Sequence, residues 1–489
     1  MPATKSLISN YKVTKRSEAF FSGGTIALAK NGSIAFLPYG SSIKVMDVTI
    51  GIIIKSLSSD EDNDITCMAL APRENSLIVG QKNLLLKQWS WPEGELLRTW
   101  KTNHRAPVLE ISFDPLIEGT VASGSADFSV KVWDLHRQYC LHTLKGHAGV
   151  VTCMSFAHFN HRSLLYVGSA EGEIRVWDLS GAQGIKTDRC RGVLDPGQGN
   201  AVTGVAATNR LVVACDRKSQ ITAWDAASLQ RAKQIVLQEP LNCFVPVPAD
   251  NVPGVLSKVV TRKIQKRPEA ELGLYLAAGE SGTLYLLDIQ AEEILWRSGA
   301  ELFGRSDVTA TVNQLLCCSD ADQYVATTAD LNVNFLTTKG MSVSKQLIGY
   351  NDEILSAGFM GDGNEYLAMG TNSSEIRFYS CRDFGCRLLL GHSDTVLSIA
   401  VSDWDNNLFA SASKDNSLRL WKLSAESANL MDNPKPQCVA FGTGHTNSVT
   451  GVCFSRTKSK FLVSVSNDRC LKLWPFSKDF LDCSLSDNK

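Results

Sequence analysis

His392 is followed by Ser411 and Ser413, then by Asp415, then by Trp421. Serine, histidine and a carboxylate are the parts of a nucleophilic triad, in which the imidazole takes the serine proton and the acid orients the imidazole. The same order returns with His445, Ser464 or Ser466, Asp468 and Trp474, and with His104, Ser123 or Ser125, Asp127 and Trp133. A hydrolase needs one such set per active site, whereas this chain repeats it at regular spacing. We therefore read each set as a buried hydrogen-bond chain running from turn aspartate through histidine and hydroxyl to indole. Such a chain satisfies polar groups inside a sheet and fixes its turns.

Other units depart from the pattern. In the unit of His147 and Trp177, Glu171 stands where the turn aspartate is expected. Tyr350 stands where a Gly-His pair would put histidine, and Asn372 replaces the aspartate of the unit ending at Tyr379. The unit ending at Leu336 keeps Asp330 but lacks the tryptophan. An incomplete polar network loses much of its benefit, so these units are expected to rely on apolar packing alone.

No other pattern offers chemistry. The chain has no G-x-x-x-x-G-K-[ST] phosphate loop, no H-E-x-x-H helix and no G-x-S-x-G elbow. Gly279-Glu280-Ser281-Gly282 falls at an inter-strand turn, where glycine supplies a positive φ. The 14 cysteines are scattered, with no C-x-x-C pair and no grouping with histidine in a zinc-like order. Cys317 and Cys318 lie in a strand-like stretch, so their side chains are expected on opposite faces, which disfavours a disulfide. The expectation is reduced, core-filling thiols, with no catalytic residue, cofactor, metal or small-molecule substrate.

The elements that position these residues are legible from a repeated ending: hydrophobic, any residue, hydrophobic, Trp, Asp. It is clearest at Val130 to Asp134, Ile174 to Asp178 and Ile221 to Asp225, and weaker at Met46, Trp89, Leu287, Leu336, Tyr379, Trp421 and Trp474. The Trp-equivalent positions mostly recur every 42 to 49 residues, the period of WD-repeat propeller blades. Within a unit, short β-branched and aromatic runs alternate with Gly, Asp, Asn and Ser, the form of an antiparallel meander. Only Ala425 to Met431 hints at a short helix. The fold class is all-β, a WD-repeat β-propeller. Ten units divide as one seven-bladed ring followed by three blades of an incomplete second ring. Residues 1–20 form an N-terminal segment placed to close a ring, and 21–340 the first propeller, with an insertion at about 238–272. Residues 341–478 hold the three further units and 479–489 a tail. Blades must stack and the ring must close, because open sheet edges and faces are costly.

Composition bounds the remainder. The apolar fraction is 44% and the charged fraction 20%, close to globular averages. With 49 basic and 50 acidic residues the net charge is −1, so no global pull toward nucleic acid is expected. The N-terminus lacks the apolar core of a signal peptide, and the longest aliphatic run, 48–54, is too short to span a bilayer. A cytosolic or nuclear protein without a membrane partner is expected. The insertion carries Lys258, Arg262, Lys263, Lys266 and Arg267, five positive charges in ten residues, as a candidate contact with RNA phosphates or an acidic partner. The acidic stretch 57–64 reads as plain surface.

Segments outside the repeat narrow the identification. Asn10-Tyr11-Lys12-Val13, Phe20 to Gly24, Leu84 to Trp91, Trp100 to Val108, Gly349 to Leu355 and Gly442 to Val449 together resemble the transducin beta-like protein three family. Its members are U-three small nucleolar RNA-associated components of the small-subunit processome, and the resemblance runs from about Asn10 to Phe476. It implies tandem seven-bladed propellers and a C-terminal helical domain that pairs with other tandem WD-repeat processome subunits. It also implies binding of pre-rRNA and the U-three small nucleolar RNA, directly or through the complex, in the nucleolus of the nucleus. The 489 residues end after three units of the second ring, so its other blades and the pairing domain have no counterpart in them. The expected function is a non-catalytic scaffold in pre-rRNA processing and small ribosomal subunit biogenesis. The alternative is a generic WD-repeat adaptor for a ubiquitin ligase or signalling complex.

Overall fold

The computed structural model describes residues 18–58, 63–159, 161–180, 190–197, 199–208, 210–248, 251–256, 273–299, 302–303, 310–318, 320–349, 352–423, 436–456 and 461–476. Every regular element among them is a β-strand. The stretch with the helical hint, Ala425 to Met431, lies outside the described residues, as do 1–17 and 59–62.

These strands build ten antiparallel sheets, each a simple meander in chain order. Nine have four strands, and the last, 449–475, has three among the described residues. The third sheet shows why the sequence folds this way. Val108–Phe113, Thr120–Ser125, Val130–Asp134 and Tyr139–Leu144 are β-rich runs. Between the second and third strands, Phe128 takes a left-handed φ of +65°, which a bulky residue adopts only under constraint. The constraint is Asp127, whose carboxylate accepts the Ser129 N–H at 3.0 Å and closes an Asx turn. Asn416 and Arg469 hold the same left-handed position beside Asp415 and Asp468. A β-bulge precedes the Trp-equivalent residue, between Val132 and Trp133 and again between Leu420 and Trp421. The extra residue, Leu141 or Val439, is on the fourth strand, which bends there.

Core lies between sheets. Ala122, Val130 and Val132 of the third sheet pack on Val151, Met154 and Val167 of the fourth. Leu164, Ile174 and Val176 of the fourth pack on Val202, Val212 and Trp224 of the fifth. Fully burying each such side chain contributes about 1.5–3 kcal/mol. The series runs from the first sheet to the seventh and then returns. Val325, Val333 and Phe335 of the seventh sheet share a core with Phe21, Ala35 and Met46 of the first. Cys317 and Cys318 point into different cores, one toward the sixth sheet and one toward the first, as strand alternation requires.

The first strands of successive sheets lie side by side and are stitched by side chains. The Oγ1 of Thr66 donates to Val108 O at 2.6 Å, that of Thr152 to Val202 O at 2.6 Å, and that of Thr203 to Leu241 O at 2.8 Å. Asn242 reaches Val312 O at 3.3 Å, and the N–H of Met68 donates to Thr25 Oγ1 at 3.0 Å. Between the seventh and first sheets, the Gln314 amide accepts from Ile26 N at 2.8 Å and donates to Ile26 O at 3.2 Å. The eighth to tenth sheets form a second stack. Phe378 and Leu389 pack with Val396 and Phe409, and Leu408 and Leu420 pack with Phe454 and Leu462.

Candidate functional site

Three of the histidine sets converge inside their sheets. His104 Nδ1 lies 3.1 Å from Asp127 Oδ2, and its Nε2 lies 3.1 Å from Ser123 Oγ, which also accepts the Trp133 indole N–H at 2.9 Å. The corresponding distances are 2.9, 2.7 and 2.9 Å for Asp415, His392, Ser411 and Trp421. They are 2.7, 2.8 and 2.9 Å for Asp468, His445, Ser464 and Trp474. Two serines are open in each set by sequence, and the geometry chooses the earlier. Ser125, Ser413 and Ser466 instead donate to the carbonyls of Ala106, Asp394 and Asn447 in the preceding loop.

The donors fix the direction of each chain. An indole N–H can only donate, so the serine oxygen accepts from it and turns its own proton toward Nε2. The imidazole then carries its proton on Nδ1 and donates it to the aspartate. Burial lowers the His104 and His392 pKa values and favours this neutral form, against the pull of the adjacent carboxylates. Burial alone would raise Asp127. Hydrogen bonds from Ser129 and the Arg105 N–H, with His104 beside it, outweigh that and bring it down to about 2. Ser123, Ser411 and Ser464 are 0% exposed. A nucleophile must meet a substrate, and these hydroxyls cannot.

The His147 set differs in two places. Val167, buried among apolar neighbours, stands on the strand where the other sets have their central serine. The Trp177 indole nitrogen and His147 Nε2 consequently have no hydrogen-bond partner among the described residues, and His147 Nδ1 has none either. Burial drives the His147 pKa down to about 4. The acid that faces His147, at 3.5 Å, is Glu173 and not Glu171, which is exposed. The reason is side-chain length. In the complete sets the turn aspartate also accepts the N–H of the residue after histidine, as Asp127 does from Arg105 at 2.8 Å. A glutamate at the turn tip is one methylene too long for that short return. Glu173, two residues on, takes the Ala148 N–H at 3.1 Å and pairs with Arg175 at 3.0 Å.

Two units expected to be held by apolar packing alone are held otherwise. In the eighth sheet Asp352 accepts Arg377 Nη2 at 2.6 Å and Ser373 Oγ at 2.6 Å, with Arg377 only 7% exposed. In the seventh, Asn332 donates to Asp330 at 2.8 Å, and Asn334 donates to Thr328 at 3.5 Å. Losing histidine removes one polar partner but leaves turn N–H groups and carboxylates that still need satisfaction. Asn372 lies at the turn, but the acid comes from the loop before the first strand, where no repeated residue offers an alignment. Tyr350 lies outside the described residues.

Lys258, Arg262, Lys263, Lys266 and Arg267 also lie outside the described residues. The start of their insertion is anchored on the seventh sheet. Buried Asn251 donates to Cys318 O at 2.9 Å and accepts the Tyr324 hydroxyl at 2.7 Å on its own carbonyl, and Gly254 N–H reaches Thr338 O at 2.8 Å. Sequence reading missed one titratable residue, Glu110, on the first strand of the third sheet. Burial pushes its carboxyl up to about 8. Part of its surface stays open, but neighbouring first strands crowd it, and its charge reaches buried Cys67 and Cys153 on either side. Among the described residues no helix is long and apolar enough to cross a membrane.

The WD domain, G-beta repeat family matches residues 94–134, 138–178, 385–422 and 436–475. Those four stretches are the ones that hold His104, His147, His392 and His445. Among similar proteins, transducin beta-like protein 3 of Bos taurus is 31% identical over 479 residues, 97% of this chain and 56% of that protein. Its counterpart in Homo sapiens is 32% identical over 484 residues, covering 97% and 55%. U3 small nucleolar RNA-associated protein 13 of Saccharomyces cerevisiae is 24% identical over 497 residues, covering 96% and 57%. The chain thus spans little more than half the length of these relatives. Repeat, fold and similarity agree: the chain is an all-β protein of WD-repeat propeller type, similar to transducin beta-like protein 3 over 97% of its own length.

Proposed function

We propose that the chain is a non-catalytic scaffold of the nucleolar small-subunit processome, acting in pre-rRNA processing and small ribosomal subunit biogenesis. The carrying observation is the similarity to transducin beta-like protein 3 across 97% of the chain. It includes the segments between repeats, which an unrelated WD-repeat protein has no reason to share. The yeast relative, named for its association with U3 small nucleolar RNA, supports the same reading. The buried state of the Ser-His-Asp sets supports a role without catalysis.

In this reading the first seven sheets make one seven-bladed ring, whose last strand Val343–Ile348 lies beyond the expected boundary at 340, and the eighth to tenth sheets are three blades of a second. The shared core of the seventh and first sheets supports the first ring. Partners are other tandem WD-repeat subunits and, through them or directly, pre-rRNA and U3 small nucleolar RNA, in the nucleolus. The insertion bearing Lys258, Arg262, Lys263, Lys266 and Arg267 is the proposed contact with phosphates or an acidic surface, where binding would weaken with salt. A tagged full chain, purified from cells and examined by mass spectrometry and RNA sequencing, tests the proposal. Enrichment of processome subunits with U3 small nucleolar RNA is expected. A cytoplasmic protein recovered with ubiquitin-ligase or signalling components would overturn it.

A further inference from the structure

Two turns and a strand, from three different sheets, meet at one ammonium group. Lys345 lies on Val343–Ile348, the outer strand of the seventh sheet, and is 9% exposed. Its Nζ donates to Val48 O at 2.6 Å and lies 3.3 Å from Thr49 O, both in the turn between the third and fourth strands of the first sheet. It also donates to Asp383 O at 2.8 Å, in the corresponding turn of the eighth sheet, with that residue's carboxylate 3.8 Å away. An ammonium carries three N–H donors, and three carbonyls receive them.

The surroundings are shaped to this meeting. Gly51, with a φ of +66°, faces the eighth sheet so closely that a Cβ would lie 2.6 Å from Asp383 O and 2.9 Å from the Phe384 Cβ. A second tie runs from Arg387 Nη2 to Val343 O at 2.9 Å. Among the described residues, no apolar core is shared by the seventh and eighth sheets, unlike each neighbouring pair on either side. A joint without a large apolar interface is expected to swing.

We infer that Lys345 is a latch that sets the angle between the first seven sheets and the stack of the eighth to tenth. Swinging of either turn strips carbonyls from a charge already withdrawn from water, and an unpartnered buried charge is costly. The joint therefore has one preferred geometry rather than a range. A methionine in this place fills similar volume but leaves three carbonyls without donors.

The test uses the full chain with fluorophores on unnatural amino acids at exposed Phe128 and Leu471, read by single-molecule energy transfer. The unsubstituted chain gives one narrow distance distribution. Lys345→Met broadens it while far-UV circular dichroism stays unchanged, and adding Arg387→Ala broadens it further. An unchanged width in folded Lys345→Met overturns the inference. So does a broad distribution in the unsubstituted chain, a result that does not depend on how the variant folds.

Discussion

At the scale of single residues, Ser-His-Asp sets that look catalytic serve as buried hydrogen-bond chains. Ser411 serves Trp421 and His392 at once, so Ser411→Ala leaves a buried indole N–H and an imidazole nitrogen unpaired. Each unsatisfied buried group costs about 1–3 kcal/mol, and thermal denaturation should show a clear fall in Tm. The reverse holds at Val167, where Trp177 and His147 already lack a hydrogen-bond partner among the described residues. Val167→Thr keeps one methyl and supplies the missing hydroxyl, so its Tm should rise, while the same change at buried Val176 lowers it. Glu110 gives a pH signature. Its folded carboxyl titrates near 8 against an ordinary 4.5, so the folded state holds a proton that the unfolded state releases. The resulting stability is complete below about 4.5 and is lost as pH rises through about 8. Glu110→Gln should flatten the decline of stability between about pH 5 and 9 that the unsubstituted chain shows.

At the scale of the sheet, repetition makes equivalent positions comparable. Leu418 and Leu420 of the ninth sheet are 3% and 4% exposed under the tenth, whereas their equivalents Leu471 and Leu473 are 61% and 62% exposed. Leu420→Glu should unfold the second stack by burying an unpaired charge. Leu473→Glu should move stability by no more than about 0.5 kcal/mol while reducing self-association, as light scattering would show. The strands were legible because β-branched and aromatic runs stop at Gly, Asp and Asn. The histidine sets were legible because type and spacing recur together. What escaped was substitution by a different geometry. Glu173 serves in place of Glu171 because side-chain length decides reach, and Asp352 with Arg377 replaces histidine from a loop with no repeat register. The choice between Ser411 and Ser413 depends on depth within the sheet, and both lie on one face of the strand.

At the scale of the whole molecule, the polar chains build the sheets and leave function to surfaces. The seventh sheet returns to the first through a shared core and the Gln314–Ile26 pair, giving a rigid platform, and Lys345 orients the eighth to tenth sheets upon it. In the proposed reading, recognition then falls to surface segments and to the basic residues Lys258, Arg262, Lys263, Lys266 and Arg267. The most direct measurement compares U3 small nucleolar RNA recovered per folded tagged protein, at a temperature below every variant's Tm. Ser411→Ala, though less stable, is expected to recover as much RNA as the unsubstituted chain. Replacing Lys258, Arg262, Lys263, Lys266 and Arg267 with glutamate should leave Tm unchanged and sharply reduce recovery. If the unsubstituted chain recovers no more of the RNA than background, the processome scaffold role is refuted.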